Sequence, residues 1–565
     1  MNARNEFERW LQNCTGDILD ELKAMKHDDA KIEACFGHRQ TFGTAGIRSI
    51  MAPGIACLND YTVRQTARGL AAYMKTSGGA MTCAIGYDCR NNSTRFARIC
   101  AAALAESGVH VYLYDRLCPT PMLSFAVRYL HCGAGIVISA SHNTKEYNGL
   151  KCYGPDGGQM TEIPAGRVSA AIETIDLFEP EHLTFEDVMA KGLVEYISDS
   201  VWQAYYARIS QEAIAPETVR EAQLRLVYSP LCGAGSEPVR EILKRLGAEV
   251  HVPASQVNAS GEFETCPNPN PENEAAFAES YKLADEVKPD LVMATDPDSD
   301  RIAVSVPVAG GYRKLSGNEV GCLLLQYILE NLKKTGKLPA DPVAVKSIVS
   351  TPLADRIAAA YGCKMRTVLT GFKYIGGVVL ELEQAGCPEN FVLGFEESCG
   401  YLKGDYARDK DAVVTAMLIA EMTACYKLRG KTLAEAMDAL YAEYGFYTTG
   451  LRSVVFASEA QKTAFMQLMD ELRANPPKDV AGFAVTAVAD FRAGVRTELA
   501  TGEKTPTNLP SENMVLLQLA ENGRVILRPS GTEPKCKFYY TACANTLAEA
   551  EARITMLDEA MCKYM

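Results

Sequence analysis

Met81-Thr82-Cys83-Ala84-Ile85-Gly86, then Ser93 through Glu106, then Gly108 and Val109-His110-Val111-Tyr112-Leu113-Tyr114, read in order as a strand, a helix and a second strand. The outer runs are short, apolar and rich in residues that suit a pleated sheet. The middle run opens on Ser93-Thr94, a helix-start signal, and a glycine follows its end. The pattern returns at Leu224–Tyr228, a helix Pro238–Leu246, Gly247 and Glu249–Val252. A third copy runs Val343–Val349, a helix from Pro352 to Tyr361, Gly362 and Lys364–Leu369. Strand, helix, strand at this spacing is the βαβ unit, which implies right-handed crossovers and parallel strands. Three αβα domains of related build are expected, with mixed, mostly parallel sheets.

The end of the chain is different. Val515–Leu519 and Arg524–Leu527 alternate around Asn522-Gly523, a two-residue hairpin signal. Lys535–Ala542 reads as a third strand and Leu547–Met561 as a closing helix, while Ala500–Asn508 reads as loop. A smaller α+β domain is expected here. The domains are placed at 1–201, 202–312, 313–440 and 441–565.

Composition restricts function. The 565 residues are 47% hydrophobic and 22% charged, ample for several cores and against disorder. A net charge of -13 speaks against nucleic acid or a membrane surface as partner. No apolar run approaches the roughly 20 residues of a membrane span, and the opening residues lack the apolar core of a signal peptide. A cytoplasmic location is expected. The 19 cysteines are odd in number and include no Cys-x-x-Cys pair, so they read as small buried hydrophobes rather than a disulfide framework or zinc site.

Two motifs carry chemistry. The apolar run Gly135-Ile136-Val137-Ile138 delivers Ser141 onto a polar loop, with Lys151 ten residues on. Leu291-Val292-Met293-Ala294 leads into Asp296-Pro297-Asp298-Ser299-Asp300-Arg301. If this second segment is extended, the three carboxylates face one side and converge on a hard divalent cation such as Mg²⁺. An EF-hand fails, because Arg301 and Pro307 occupy the positions that need glycine and glutamate. In an extended segment His142 faces away from Ser141 and is poorly placed as its base. Gly233-Ala234-Gly235 lacks the third glycine of a dinucleotide loop. Arg528-Pro529-Ser530-Gly531-Thr532 lies between two strands and offers a cradle for a phosphate dianion. Glu396 and Ser398, after another apolar run, suit sugar hydroxyls.

Taken with Thr44-Ala45-Gly46-Ile47-Arg48 and Thr370-Gly371-Phe372-Lys373, this ordered set resembles the α-D-phosphohexomutase superfamily, the phosphoglucomutases and phosphomannomutases. The likeness runs from about residue 40 to 540. It implies four domains around a central cleft, the last one distinct. By that resemblance Ser141 carries the phosphoryl group and, with Asp296, Asp298 and Asp300, holds one Mg²⁺ per chain. Arg48, Lys151, Arg301 and Lys410 would surround the transferred group, with Lys151 a candidate acid/base and His142 counted with the catalytic set. Thr370, Gly371, Glu396 and Ser398 would meet the sugar, and Arg528, Ser530, Gly531 and Thr532 the other phosphate. Tyr401 stands where many relatives carry histidine, which leaves the general base open.

The motif forms look closest to the branch with phosphoglucomutases and phosphopentomutases. The implied activity interconverts glucose 1-phosphate and glucose 6-phosphate, with glucose 1,6-bisphosphate as intermediate and activator. A phosphomannomutase or phosphopentomutase is the near alternative; a metal-dependent sugar phosphatase or a non-catalytic sugar-phosphate sensor is the distant one. The expected partners are small-molecule sugar phosphates, and the expected state is a monomer or small homo-oligomer.

Overall fold

The computed structural model describes residues 2–43, 46–529 and 535–563. All three strand–helix–strand units form, and the two strands of each pair in parallel. They are Thr82–Tyr87 with His110–Leu113, Arg225–Ser229 with Glu249–His251, and Val343–Ser347 with Lys364–Val368. The helices Ser93–Glu106, Ser236–Leu246 and Leu353–Ala360 join them.

Each sheet then grows in the same way. A further strand runs parallel to the first one of its unit: Ala134–Ile138, Leu291–Thr295 or Phe391–Glu396. It turns back at once into an antiparallel strand, Tyr147–Tyr153, Ile302–Val308 or Gly400–Leu402. The three returns make the sheets mixed, and the middle one is not mostly parallel. It has two parallel and two antiparallel pairings, because Gly311–Leu315 adds a second antiparallel strand. The strands bearing these returns are buried throughout, so their polar ends emerge together at one side.

The last unit is an eight-stranded sheet. Val515–Leu519 and Arg524–Pro529 pair as the alternation implied, but the turn sits one residue earlier. Gln518 faces Arg524, which centres the turn on Ala520–Gly523 and puts Glu521 and Asn522 in the left-handed region, at φ 55° and 61°. That register keeps Leu517 opposite Val525, both fully buried, and core burial outweighs the local preference for Asn-Gly. Lys504–Pro506, read above as loop, is a short edge strand on Val495–Glu498. It is exposed at every position, so no apolar alternation marks it.

Before the first sheet, helices Ala3–Asn13, Gly16–Ala24 and Asp29–Phe36 close a core of their own. Trp10 lies at its centre, edge-on to Phe36 and Phe178 at 5.6 Å each. Trp202 is buried against the first sheet's Tyr114 at 5.7 Å, with the Arg116 guanidinium 4.1 Å above its ring. No helix among the described residues is long and apolar enough to cross a membrane. A cleft runs between the units. Its two arms, of about 1050 and 560 Å³, share Thr41, Gly43, Gln159 and Lys535.

Candidate active site

Ser141 follows the strand Ala134–Ile138 by three residues, and its backbone is left-handed, with φ 52°. The segment is therefore not extended, and the separation expected between Ser141 and His142 does not hold. The turn brings Ser141 Oγ to 2.6 Å from Asp296 Oδ2 and 3.2 Å from His142 Nδ1. A left-handed serine costs on the order of 1–2 kcal/mol, so something must hold it. Ser139 Oγ accepts from the Ser141 N–H at 2.8 Å. The Arg90 guanidinium donates to the carbonyls of Ser141 and Asn143 at 2.5 Å each, Thr144 at 2.9 Å and Tyr147 at 3.0 Å. Asp88 lies 3.4 Å from Arg90 Nε, and both side chains are fully buried. Sequence reading missed Arg90 and Asp88. Their signal is position: Asp88 and Arg90 follow Thr82–Tyr87 at the carboxyl end of a parallel strand, where such folds place their sites.

The aspartate loop also curls rather than runs straight, with Ser299 at φ 52°. Convergence of the three carboxylates comes from this turn, not from strand alternation. Asp296 Oδ1 accepts from the N–H groups of Asp300 at 3.1 Å and Arg301 at 3.0 Å. Asp298 Oδ2 accepts from Thr120 Oγ1 at 2.9 Å and Lys151 Nζ at 2.6 Å, Thr120 being another residue the sequence reading missed. One oxygen from each of Asp296, Asp298 and Asp300 lies within 4.8 Å of the others, and all three residues are buried. Asp298 Oδ1 and Asp300 Oδ1 are buried without a hydrogen-bond partner among the described residues. Orphaned carboxylate oxygens in a dry site call for a cation, so this donor set fits Mg²⁺.

Gly233-Ala234-Gly235 supports that loop. The Ala234 N–H donates to Pro297 O at 2.8 Å, and a Cβ on Gly233 would fall 2.5 Å from Pro297 Cα. The turn is a mould for the aspartates, which accounts for its glycines without a nucleotide.

Four cations converge on the same point. Arg48, on the strand Gly46–Ile50, donates to Asn143 Oδ1 at 3.1 Å. Lys151 also reaches Asp300 Oδ2 at 3.4 Å, and Lys410 Nζ lies 3.1 Å from both Asp300 Oδ2 and Asp409 Oδ1. Gly400 lets Lys410 through: a Cβ there would sit 2.1 Å from Lys410 Cδ. Arg301 pairs with Glu272 at 2.5 Å. Burial works against charge on Lys151 and Lys410, but the carboxylates win and hold both pKa values above the usual lysine range. Burial and the two neighbouring carboxylates push Asp296 up. Burial opposes ionisation of Asp298 too, yet Lys151 overrides it and holds that carboxyl well below its usual range. Burial, with Arg301 and Arg48, lowers His142 to about 2, so its imidazole is neutral.

The third returning strand brings the sugar candidates together. Glu396 ends Phe391–Glu396, and its Oε1 accepts from the Gly371 N–H at 2.6 Å. Thr370 lies beside it in the cleft wall, and Ser398 is half-buried in the turn to Gly400. Tyr401 takes no place in the cleft. It is buried, and its hydroxyl donates to Gly317 O at 3.0 Å, which makes it a strut rather than a base. At the far end Arg528 pairs with Glu512 and lines the larger arm with Lys537, its partner across the strands. Ser530, Gly531 and Thr532 lie outside the described residues.

Models of the phosphoglucomutase/phosphomannomutase family match in order along the chain. Alpha/beta/alpha domains I, II and III match residues 39–178, 203–310 and 316–444, and the C-terminal domain matches 478–556. The chain belongs to this family. Its members are isomerases, phosphohexomutases by reaction. The phosphoglucomutase of Staphylococcus epidermidis is 35% identical over 537 residues, 94% of this chain and 96% of that protein. Among solved structures, the open form of pp63/parafusin, a phosphoglucomutase from Paramecium, has the same fold. Its TM-score is 0.67 at 14% identity, over 93% of this chain and 96% of that one. An Aspergillus fumigatus N-acetylphosphoglucosamine mutase solved with glucose 1,6-bisphosphate also aligns, with TM-score 0.51 and 14% identity over 99% and 98% of the two chains.

Proposed function

We propose that this isomerase interconverts glucose 1-phosphate and glucose 6-phosphate through a phosphorylated Ser141. The observation that carries the reading is the Ser141 hydroxyl hydrogen-bonded to one of three converging buried aspartates, ringed by Arg48, Lys151, Arg301 and Lys410. Ser141, Asp296, Asp298 and Asp300 would hold Mg²⁺, which when bound supplies charge neutralisation at the phosphate.

A hydroxyl of the sugar attacks the phosphoserine phosphorus. The bond from phosphorus to Ser141 Oγ breaks, a new one to the sugar oxygen forms, and a bisphosphate results. The proton lost by the sugar hydroxyl is balanced by the one Ser141 Oγ regains. His142 Nδ1, 3.2 Å away and neutral, orients the Ser141 hydroxyl but has no proton to give it. Lys151, bound to Asp298 and Asp300, stays protonated and stabilises charge as it moves. After the bisphosphate turns over, its other phosphate returns to Ser141 Oγ by the reverse step. Glu396, Ser398, Thr370 and Gly371 would hold the sugar in both orientations, and Arg528 with Ser530, Gly531 and Thr532 the phosphate that does not react. Free glucose 1,6-bisphosphate would activate the enzyme by phosphorylating Ser141. We place the domains at 1–201, 202–312, 313–440 and 441–565, and the active species as a cytoplasmic monomer or small homo-oligomer.

The test is peptide mass spectrometry after exposure to glucose 1,6-bisphosphate. Phosphate on Ser141, discharged by glucose 1-phosphate, is expected; an unmodified Ser141 in a protein that turns over would refute the route. Rates on glucose, mannose, ribose and glucosamine phosphates would fix the sugar.

A further inference from the structure

Lys373 enters the cleft from the second residue of the helix Phe372–Gln384, directly after the sugar-side segment Thr370-Gly371. Its side chain is 8% exposed, and its ammonium lies 2.5 Å from Glu162 Oε1. Glu162 belongs to the other side of the cleft, in the first turn of the helix Glu162–Thr174 that follows the first sheet's returning strand. The Tyr374 hydroxyl donates to the same Glu162 oxygen at 2.9 Å. All three residues line the larger arm of the cleft together with Arg528 and Lys537. Arg528 is held in a matching way, by Glu512.

Two cations at one end of a cleft, each resting on a single carboxylate, form a site that exchanges anions. We propose that Lys373 is a further ligand of the substrate phosphate at the Arg528 end, held on Glu162 until that phosphate displaces it. This rests on the cleft being the sugar-phosphate site proposed above. The physical argument is one of competition. Glu162 has 54% of its side chain exposed, so its attraction for Lys373 is screened and weak. A phosphate dianion carries more charge and three acceptor oxygens, and binds an ammonium more strongly than one exposed carboxylate. Burial keeps Lys373 inside the cleft whichever partner it has. Glu162 then acts as a stand-in that neutralises Lys373 in the empty site and is released when the ligand arrives.

The sign of two substitutions separates this from a structural strut. Removing the ligand, Lys373→Ala or Lys373→Met, should raise KM for glucose 1-phosphate and the inhibition constant of inorganic phosphate about tenfold, the scale of one charge-assisted contact. Removing the competitor, Glu162→Gln, should lower both by about two- to fivefold, as expected when a weak exposed pair no longer opposes binding. In the Glu162→Gln background the Lys373→Ala penalty should grow. Phosphate binding is measured by calorimetry on the whole chain, which needs no turnover, and circular dichroism checks that each variant is folded. If Glu162→Gln and Lys373→Ala weaken phosphate binding alike, or if neither moves it, Lys373 is no ligand. The mutase reading is judged on the parent alone, by its conversion of glucose 1-phosphate and the label on Ser141. A parent that turns over beside variants that do not shift defeats this proposal and leaves that reading standing.

Discussion

Around Ser141, charge is stored in a dense, buried lattice that spans three sheets. Lys151 from the first and Lys410 from the third meet Asp298 and Asp300 of the second directly. Around Arg528 the arm is broader, and Arg528 and Lys373 are each held by one partly exposed carboxylate, Glu512 or Glu162. The difference suits a reaction in which one end of the sugar always meets the same chemistry and the other end is only held. Preorganised charge that need not rearrange lowers a transition state. Loosely held charge that can change partners permits capture, turnover and release.

The widest separation between the two ends should come from the nucleophile. Ser141→Ala should cut mutase turnover by about 10³-fold or more, since the other hydroxyl on the aspartate cluster, Thr120, is fully buried and donates to Asp298. Binding of glucose 6-phosphate by calorimetry should barely change. A variant keeping a tenth of parental kcat would end the covalent route. Next is the lattice itself. Asp298→Asn removes the charge that holds Lys151 and one orphaned oxygen, and should lower kcat by about 10²-fold and raise the Mg²⁺ needed for half-activation. Parental activity in excess chelator would break the assignment.

At the opposite end Arg528→Ala should act on binding. An increase of about thirtyfold in KM, about 2 kcal/mol, is expected with kcat largely kept. More free glucose 1,6-bisphosphate should escape per turnover, because the phosphate that is only held is held less well. Equal losses of kcat would mean that the two ends are not separable.

The smallest effect is one of pH. Burial, with Glu396 alongside, raises Glu397 from an ordinary 4.5 to about 7. The folded chain therefore keeps a proton that the unfolded chain gives up, so stability falls as pH rises from about 4.5 to 7. Glu397→Gln should flatten that slope, gaining a couple of degrees in melting temperature over the parent at pH 8 and less at pH 5. A constant offset at both pH values would show that Glu397 does not titrate there.

How far these features were legible follows from what sequence patterns encode. The three βαβ units, each a short apolar run followed by a helix-start signal, were readable because apolar patterning and capping act locally. Ser141 and the aspartates stand out as candidates because a hydroxyl and three alternating acids are unusual at strand ends. Their geometry was not legible. Left-handed turns at Ser141 and Ser299 are imposed from outside, by Arg90 gripping four carbonyls and by Ala234 on Pro297. Nothing beside Ser141 announces an arginine 51 residues earlier. Thr120 was missed for the same reason, since it meets the site through Asp298 of another unit. Tyr401 was singled out because it departs from the family's histidine, and burial beneath Gly317 shows it serving the fold.

The placement of the two tryptophans has an optical consequence. Trp10 sits in the amino-terminal helical core and Trp202 where the first two units meet, and the rest of the chain has none. Intrinsic fluorescence therefore views one half of the molecule. Melting of the amino-terminal helices and parting of the first two sheets should each change the emission, while the unit bearing Arg528 is dark at these wavelengths. A single tryptophan installed on its exposed face, at Leu451 for instance, would make swings of that unit visible against a background that stays still.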